Sequence, residues 1–201
     1  ERLKDLGLLS PRLNAVHMTQ LTEQEIEWCA ESGVNITHCP ESNLKLASGF
    51  CPIAQLSAQG INVAIGTDGA ASNNDLDMFA EMKQTALLAK AVAQDASAVP
   101  AHTALEMATI NGAKALGIDE VTGSLEIGKA ADLIAVNLSN VETQPIYDVV
   151  SQLVYATGRD SVTDVWVDGK HLLNNRQLTT LNPAQIIHNS QLWAEKIRQA
   201  D

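Results

Sequence analysis

The feature that most constrains this chain is a pattern met three times between Leu13 and Ala93: a short apolar run, a polar loop, then an amphipathic segment. Residues 13–17, 34–38 and 61–68 read as strands. After the first, Thr22-Glu23-Gln24-Glu25 has the form of a capping box, with Leu21 and Ile26 placed as a hydrophobic staple. The helix it opens should run to about Ser32, with Gly33 as the left-handed residue beyond its end. A long loop, residues 39–49, follows the second strand, and a short helix from about Pro52 stops at Gly60. A loop of Gly, Ala, Ser and Asn, residues 69–74, leads from the third strand into a helix from about Leu76 to Ala93.

Strands separated by helices on this spacing imply right-handed crossovers and a parallel sheet. Their apolar character suits strands covered on both faces. Each run ends, at its carboxyl end, in a side chain that can bind a metal or move a proton: His17, His38 and Asp68. In a (β/α)8 barrel the carboxyl ends of the strands build the active site. A doubly wound sheet obeys a related rule at its switch point, so the pattern alone favours the barrel only modestly. Three units cannot close eight strands, which take about 250 residues. Either they form a smaller open sheet, or the chain is the C-terminal part of something longer.

Past residue 118 the texture changes. Residues 103–116 predict one more helix, closed by Gly117. Residues 123–132 are turn-rich and lead into an apolar strand at 133–136. Alternating residues 162–167, then Asp168-Gly169, then residues 170–173 spell a hairpin with a type I′ turn. Asn182-Pro183-Ala184-Gln185 supplies a cap, a proline at the first helical position and a glutamine at the third, opening a terminal helix. The expected division is a barrel portion over 1–118, a β-sandwich segment over 119–181 and a C-terminal helix over 182–201.

Charge narrows the function. Thirteen Lys and Arg stand against 24 Asp and Glu, a formal net charge of −11, which argues against nucleic acid as a partner. Aromatics at 3% give no stacking platform for single strands. No apolar run approaches the roughly 20 residues of a membrane span. Cys29, Cys39 and Cys51 are odd in number and form no Cys-x-x-Cys pair, so a disulfide framework or thiolate zinc knuckle is not expected. A reducing cytoplasm is the simplest setting for such cysteines, and the start, Glu1-Arg2-Leu3-Lys4-Asp5, has no signal-peptide layout.

Three stretches carry a family resemblance: Ala15-Val16-His17; Thr37-His38-Cys39-Pro40-Glu41-Ser42-Asn43-Leu44-Lys45; and Gly66-Thr67-Asp68-Gly69-Ala70-Ala71-Ser72-Asn73-Asn74. They resemble the last three barrel strands of the amidohydrolase superfamily. The similarity is greatest to its 5′-methylthioadenosine/S-adenosylhomocysteine deaminases and triazine-type hydrolases. Residues 123–136 are similar to the small β-sandwich of that superfamily. The resemblance implies the C-terminal part of a TIM-type barrel and zinc-dependent hydrolytic deamination of an adenine-type purine nucleoside. It implies that Asp68 is a zinc ligand and accepts a proton from the attacking water, and that His17 hydrogen-bonds the nucleophile and the tetrahedral oxygen. It places His38 and Ser72 at the substrate end of the pocket. The His-x-His and strand-5 His-x-x-Glu motifs of the superfamily are absent, so the remaining zinc ligands and the acid glutamate would come from a missing N-terminal half. The 201 residues alone should then be inactive. The partner would be a small molecule, with homo-oligomerisation left open.

Blander readings stand beside these. Asp68 could simply cap the 69–74 loop, yet a carboxylate after a buried strand is costly unless paired or metal-bound. His38 could only hold the loop after it, and Ser72 only start a turn. Cys39 and Cys51 read as packing residues, Lys45 as a loop anchor, Glu41 as a solvated loop carboxylate, and His102, His171 and His188 as residues remote from the strand ends. Rival functions are a triazine chlorohydrolase or guanine-type deaminase, and, from another class, a non-catalytic fragment or assembly module.

Overall fold

The computed structural model describes residues 1–200; Asp201, the last residue of the expected terminal segment, lies outside them. Two compact units emerge. The first comprises residues 1–129 and 138–161, the second residues 130–137 and 162–201.

In the first unit a single turn, α1 (Arg2–Asp5), precedes β1 (Asn14–Val16), α2 (Glu23–Ser32), β2 (Asn35–His38), α3 (Pro40–Lys45), α4 (Ile53–Ala58), β3 (Val63–Ile65) and α5 (Met78–Ala93). The three strands form one parallel sheet in the order β1-β2-β3. Its register pairs Ala15 with Ile36 and His38 with Ile65. The ladder continues past the strand ends through His17 N–H to the Thr37 carbonyl (3.0 Å) and Gly66 N–H to the His38 carbonyl (2.9 Å). Those two bonds fix where the site-bearing loops leave the sheet.

Local chemistry explains the helices. The Thr22 and Glu25 side chains complete the capping box of α2, and Gly33 closes it at φ 66°. Asp77 caps α5 through Phe79 N–H. Ile26, Ile36, Ile53, Leu56, Val63, Met82, Ala86 and Met107 are each 4% exposed or less and form the core that binds sheet to helices. At Gly66 a Cβ would come within 2.9 Å of Thr37 Cγ2, so β3 can follow β2 this closely only with a glycine there.

The expected helix over 103–116 is two helices, α6 (Ala101–Ala108) and α7 (Ile110–Leu116), broken at Thr109, whose φ of −130° and ψ of −95° are not helical. The expected loop 39–49 contains α3. In the second unit β4 (Leu133–Val136) pairs antiparallel with a later strand, and before that strand the first unit resumes with a 3-10 turn at Val141–Thr143, α8 (Val149–Tyr155) and a second at Arg159–Ser161. The second unit then continues with β5 (Val162–Val167), β6 (Lys170–Asn174), β7 (Gln177–Leu178) and α9 (Pro183–Ala200). Its sheet has the order β4-β5-β6-β7. The hairpin turn has positive φ at Asp168 (50°) and Gly169 (71°), as type I′ requires. His171 stacks on Trp166, ring centroids 4.3 Å apart, and bonds Asp164 at 2.9 Å, a structural role inside this sheet.

Candidate active site

The carboxyl ends of β1 and β3 deliver His17 and Asp68 to one place. His17 Nε2 lies 3.8 Å from Asp68 Oδ2, and their side chains remain 40% and 35% exposed. That distance is too long for a direct hydrogen bond, so a third atom can sit within reach of both. Both residues hold left-handed backbone, φ 71° at His17 and 63° at Asp68. Side chains other than glycine adopt that region at a cost of about 1–3 kcal/mol, sustained only where surrounding contacts enforce it.

Those contacts are specific. Asp68 Oδ1 accepts from Gly69 N–H (2.7 Å). Oδ2 accepts from both the Ser72 and Ser42 hydroxyls, each at 2.7 Å. Together Ser72, Ser42 and the Gly69 amide hold the Asp68 carboxyl down to about 2, with a smaller contribution from His17. The group is therefore an anion at every physiological pH, and Oδ2 must release a hydroxyl before it can take a proton. On the other side His17 Nδ1 meets Asn43 Oδ1 at 2.8 Å.

Ser72, expected at the substrate end or in a turn, lies 3.1 Å from the Gly69 carbonyl as well. Its single proton is better spent on the closer carboxylate. His38 is only 3% exposed, and neither ring nitrogen has a hydrogen-bond partner among the described residues. Burial, with the nearby His17 ring, pushes it down to about 4, so it stays neutral. It shares a small apolar pocket with Asn43, Phe50, Cys51 and Leu88, and no hydrogen bond joins it to His17 or Asp68. Cys39 and Cys51 are buried and free, their thiols raised by burial to about 11 and about 12, which suits packing residues.

A second carboxylate layer lies behind the site, and no motif in the sequence marks it. Glu81, on α5, is fully buried. Its Oε1 accepts from Asn73 Nδ2 (2.6 Å) and its Oε2 from the Glu41 N–H (3.2 Å). Glu41 is not the solvated loop carboxylate expected: it sits on α3 and accepts from Asn73 Nδ2 (2.9 Å) and Gln84 Nε2 (2.5 Å). Burial, helped by the Glu41 charge, raises Glu81 to about 7, against the pull of the Glu41 N–H and Asn73. Lys45 Nζ donates to the Ala71 carbonyl (2.8 Å) and Asn74 Oδ1 (2.5 Å), anchoring the loop as expected. The middle of the 69–76 loop, residues 71–74, is thus fastened to α3 and α5.

A metal would need more than this chain shows. Among the described residues no three His, Cys, Asp or Glu side chains cluster to hold one. Asp68 fits the part of a single anionic ligand: it is ionised, accessible and at a strand end. No helix among the described residues is long and apolar enough to cross a membrane.

The strand-end geometry and the mixed α/β architecture agree with what comparison finds. The chain belongs to the amidohydrolase family, whose model matches residues 1–172. A 5-methylthioadenosine/S-adenosylhomocysteine deaminase of Teredinibacter turnerae is 54% identical over 197 residues, 98% of this chain and 45% of its own length. A 5'-deoxyadenosine deaminase of Methanosarcina mazei is 44% identical over 195 residues, 97% of this chain and 45% of its own. Among solved structures, an adenosine deaminase from Xanthomonas campestris with bound zinc matches with a TM-score of 0.97 at 57% identity, over 98% of this chain and 45% of that one. An atrazine chlorohydrolase from Arthrobacter aurescens TC1 complexed with zinc matches with a TM-score of 0.89 at 28% identity, over 94% and 42%. The chain therefore spans just under half the length of these relatives.

Proposed function

We propose that this chain is the C-terminal portion of a zinc-dependent deaminase acting on an adenine-type purine nucleoside of the 5′-methylthioadenosine/S-adenosylhomocysteine class. One observation carries the reading: His17 and Asp68, 3.8 Å apart, face the same accessible space at the carboxyl ends of parallel strands. Two further facts support it. The parallel sheet has three strands, with β1 and β3 at its edges, as an arc of a larger barrel would. Identity to the deaminases named above is 44–57%, against 28% to the atrazine chlorohydrolase, which favours deamination over dechlorination.

In this proposal Asp68 contributes one ligand of a zinc whose other ligands, with the acid glutamate, lie in an N-terminal half. Zinc, when bound, supplies the positive charge that makes water a nucleophile near neutral pH. Asp68 collects the proton of the attacking water, giving up a serine hydroxyl bond to do so. His17 stands across the gap, its Nε2 placed to accept a hydrogen bond from the attacking oxygen and then from the hydroxyl which that oxygen becomes on the substrate carbon. Ser72 and His38 belong to the substrate end. Burial keeps His38 neutral, so its part is a neutral hydrogen bond and not a charge. The isolated 201 residues would carry no activity.

The test is an ultraviolet assay of 5′-methylthioadenosine deamination by the whole enzyme, with zinc content measured on the same samples. Turnover that vanishes in Asp68→Ala together with most of the zinc supports the assignment. Turnover of guanine or a chlorotriazine alone, or undiminished turnover in the variant, refutes it.

A further inference from the structure

β2 is the middle strand of the sheet, and the chain passes from it directly into α3, which therefore stands between the loops leaving β1 and β3. Two consecutive residues of α3, Ser42 and Asn43, are 0% and 3% exposed. They reach to opposite neighbours. The Ser42 hydroxyl donates to Asp68 Oδ2 at 2.7 Å, and Asn43 Oδ1 lies 2.8 Å from His17 Nδ1. Consecutive helical positions point about 100° apart, so one rigid turn can serve both sides at once. The turn is itself held: Pro40 occupies the first helical position, Asn43 N–H donates to the Cys39 carbonyl (3.0 Å), and Glu41 N–H donates to buried Glu81 (3.2 Å).

We propose that Ser42 and Asn43 form a positioning pair, which sets the rotamer of Asp68 and the tautomer of His17 from a single turn of helix. With Asn43 Oδ1 turned to the ring, as the structure places it, the ring nitrogen facing it carries the proton, because an amide oxygen only accepts. Neutral His17 is then the Nδ1–H tautomer, and its bare Nε2 faces the gap before Asp68. Both groups bordering that gap are acceptors, the arrangement that receives a proton from an oxygen placed between them. Ser42 works on the other wall, holding Oδ2 of Asp68 in place through a second hydroxyl besides that of Ser72. The proposal rests on the functional reading above for what the two groups do, and on hydrogen-bond geometry alone for how they are held.

Nitrogen-15 spectroscopy of histidine-labelled whole enzyme, at about pH 9 where an ordinary imidazole is neutral, reads the tautomer directly. His17 should show a protonated Nδ1 and a bare Nε2. Asn43→Leu should shift it toward the Nε2–H form that free imidazole prefers, and Asn43→Asp, still an acceptor, should restore Nδ1–H. Loss of a partner of this kind lowers activity or metal affinity by about 10–100-fold. Asn43→Leu should therefore lower kcat within that range, with KM changed little. Ser42→Ala should lower zinc retention against a chelator within that range, and Ser42→Thr should recover most of it. A bare Nδ1 in the active wild-type enzyme overturns the positioning pair alone, as does an unchanged tautomer in a folded Asn43→Leu. A protonated Nδ1 in a wild-type enzyme that deaminates nothing upholds the pair and defeats the functional reading.

Discussion

Replacing Glu81 by Gln should abolish a pH dependence of stability that the wild-type profile conceals. Glu81 is fully buried beside Glu41, and no basic side chain is among its hydrogen-bond partners; burial raises it from an ordinary 4.5 to about 7. Its folded state therefore holds a proton that the unfolded state has already lost across that window, so its contribution to stability is full below 4.5 and falls as pH rises through 7. At 1.36 kcal/mol per tenfold change the limiting loss is about 3 kcal/mol, of which about 2 kcal/mol falls between pH 5 and 8. His38 opposes it. Held down to about 4 from 6.5, it is neutral in the fold while the unfolded form binds a proton. Its contribution is present above 6.5 and is lost as pH falls toward 4, which between pH 5 and 8 amounts to about 2 kcal/mol of the opposite sign. The two nearly cancel in the wild type. Urea unfolding of wild type and Glu81→Gln at about pH 5 and about pH 8 separates them. The variant should gain about 2 kcal/mol relative to wild type on going from the lower pH to the higher. A difference that stays constant across that range would refute the assignment of Glu81 as a buried carboxyl that ionises near neutrality.

Other outcomes follow from the same contacts. Gly66→Ala should destabilise the protein by about 1–3 kcal/mol, because its Cβ would meet Thr37 Cγ2 between paired strands; thermal or urea unfolding reads this, and a neutral change would contradict the close approach. Lys45→Met removes two bonds to the 69–76 loop and should speed amide exchange at residues 71–76 while leaving the β2 amides protected. Thr22→Ala breaks the capping box of α2 and should cost about 1 kcal/mol in unfolding free energy.

Much of this fold can be read from the chain. Where local chemistry dictates structure, expectation and structure coincide: the box at Thr22 and Glu25, the left-handed stop at Gly33, the turn at Asp168-Gly169, and the cap at Asn182, whose Oδ1 accepts from Gln185 N–H. The convergence of His17 and Asp68 was legible for a simpler reason. Parallel strands share a direction, so residues at their carboxyl ends share a rim. What the sequence hid depends on tertiary contacts. α3 is six residues long with no apolar periodicity, and its buried Ser42 and Asn43 are fixed by bonds to side chains 26 residues away. Glu81 looks like an ordinary helical glutamate until Asn73 and the Glu41 amide are seen to close around it. Thr109 interrupts a helical pattern that its neighbours would support, and its side chain bonds the Leu105 carbonyl instead.

The most direct test of the account is a double-mutant cycle on deamination of 5′-methylthioadenosine by the whole enzyme, comparing His17→Ala, Asp68→Asn and the pair. Groups that act as one unit lose nearly everything with the first removal. The double variant should therefore be no slower than the worse single one. Losses that multiply, or a single variant that turns over at the wild-type rate, would contradict the claim that imidazole and carboxylate serve one reacting centre.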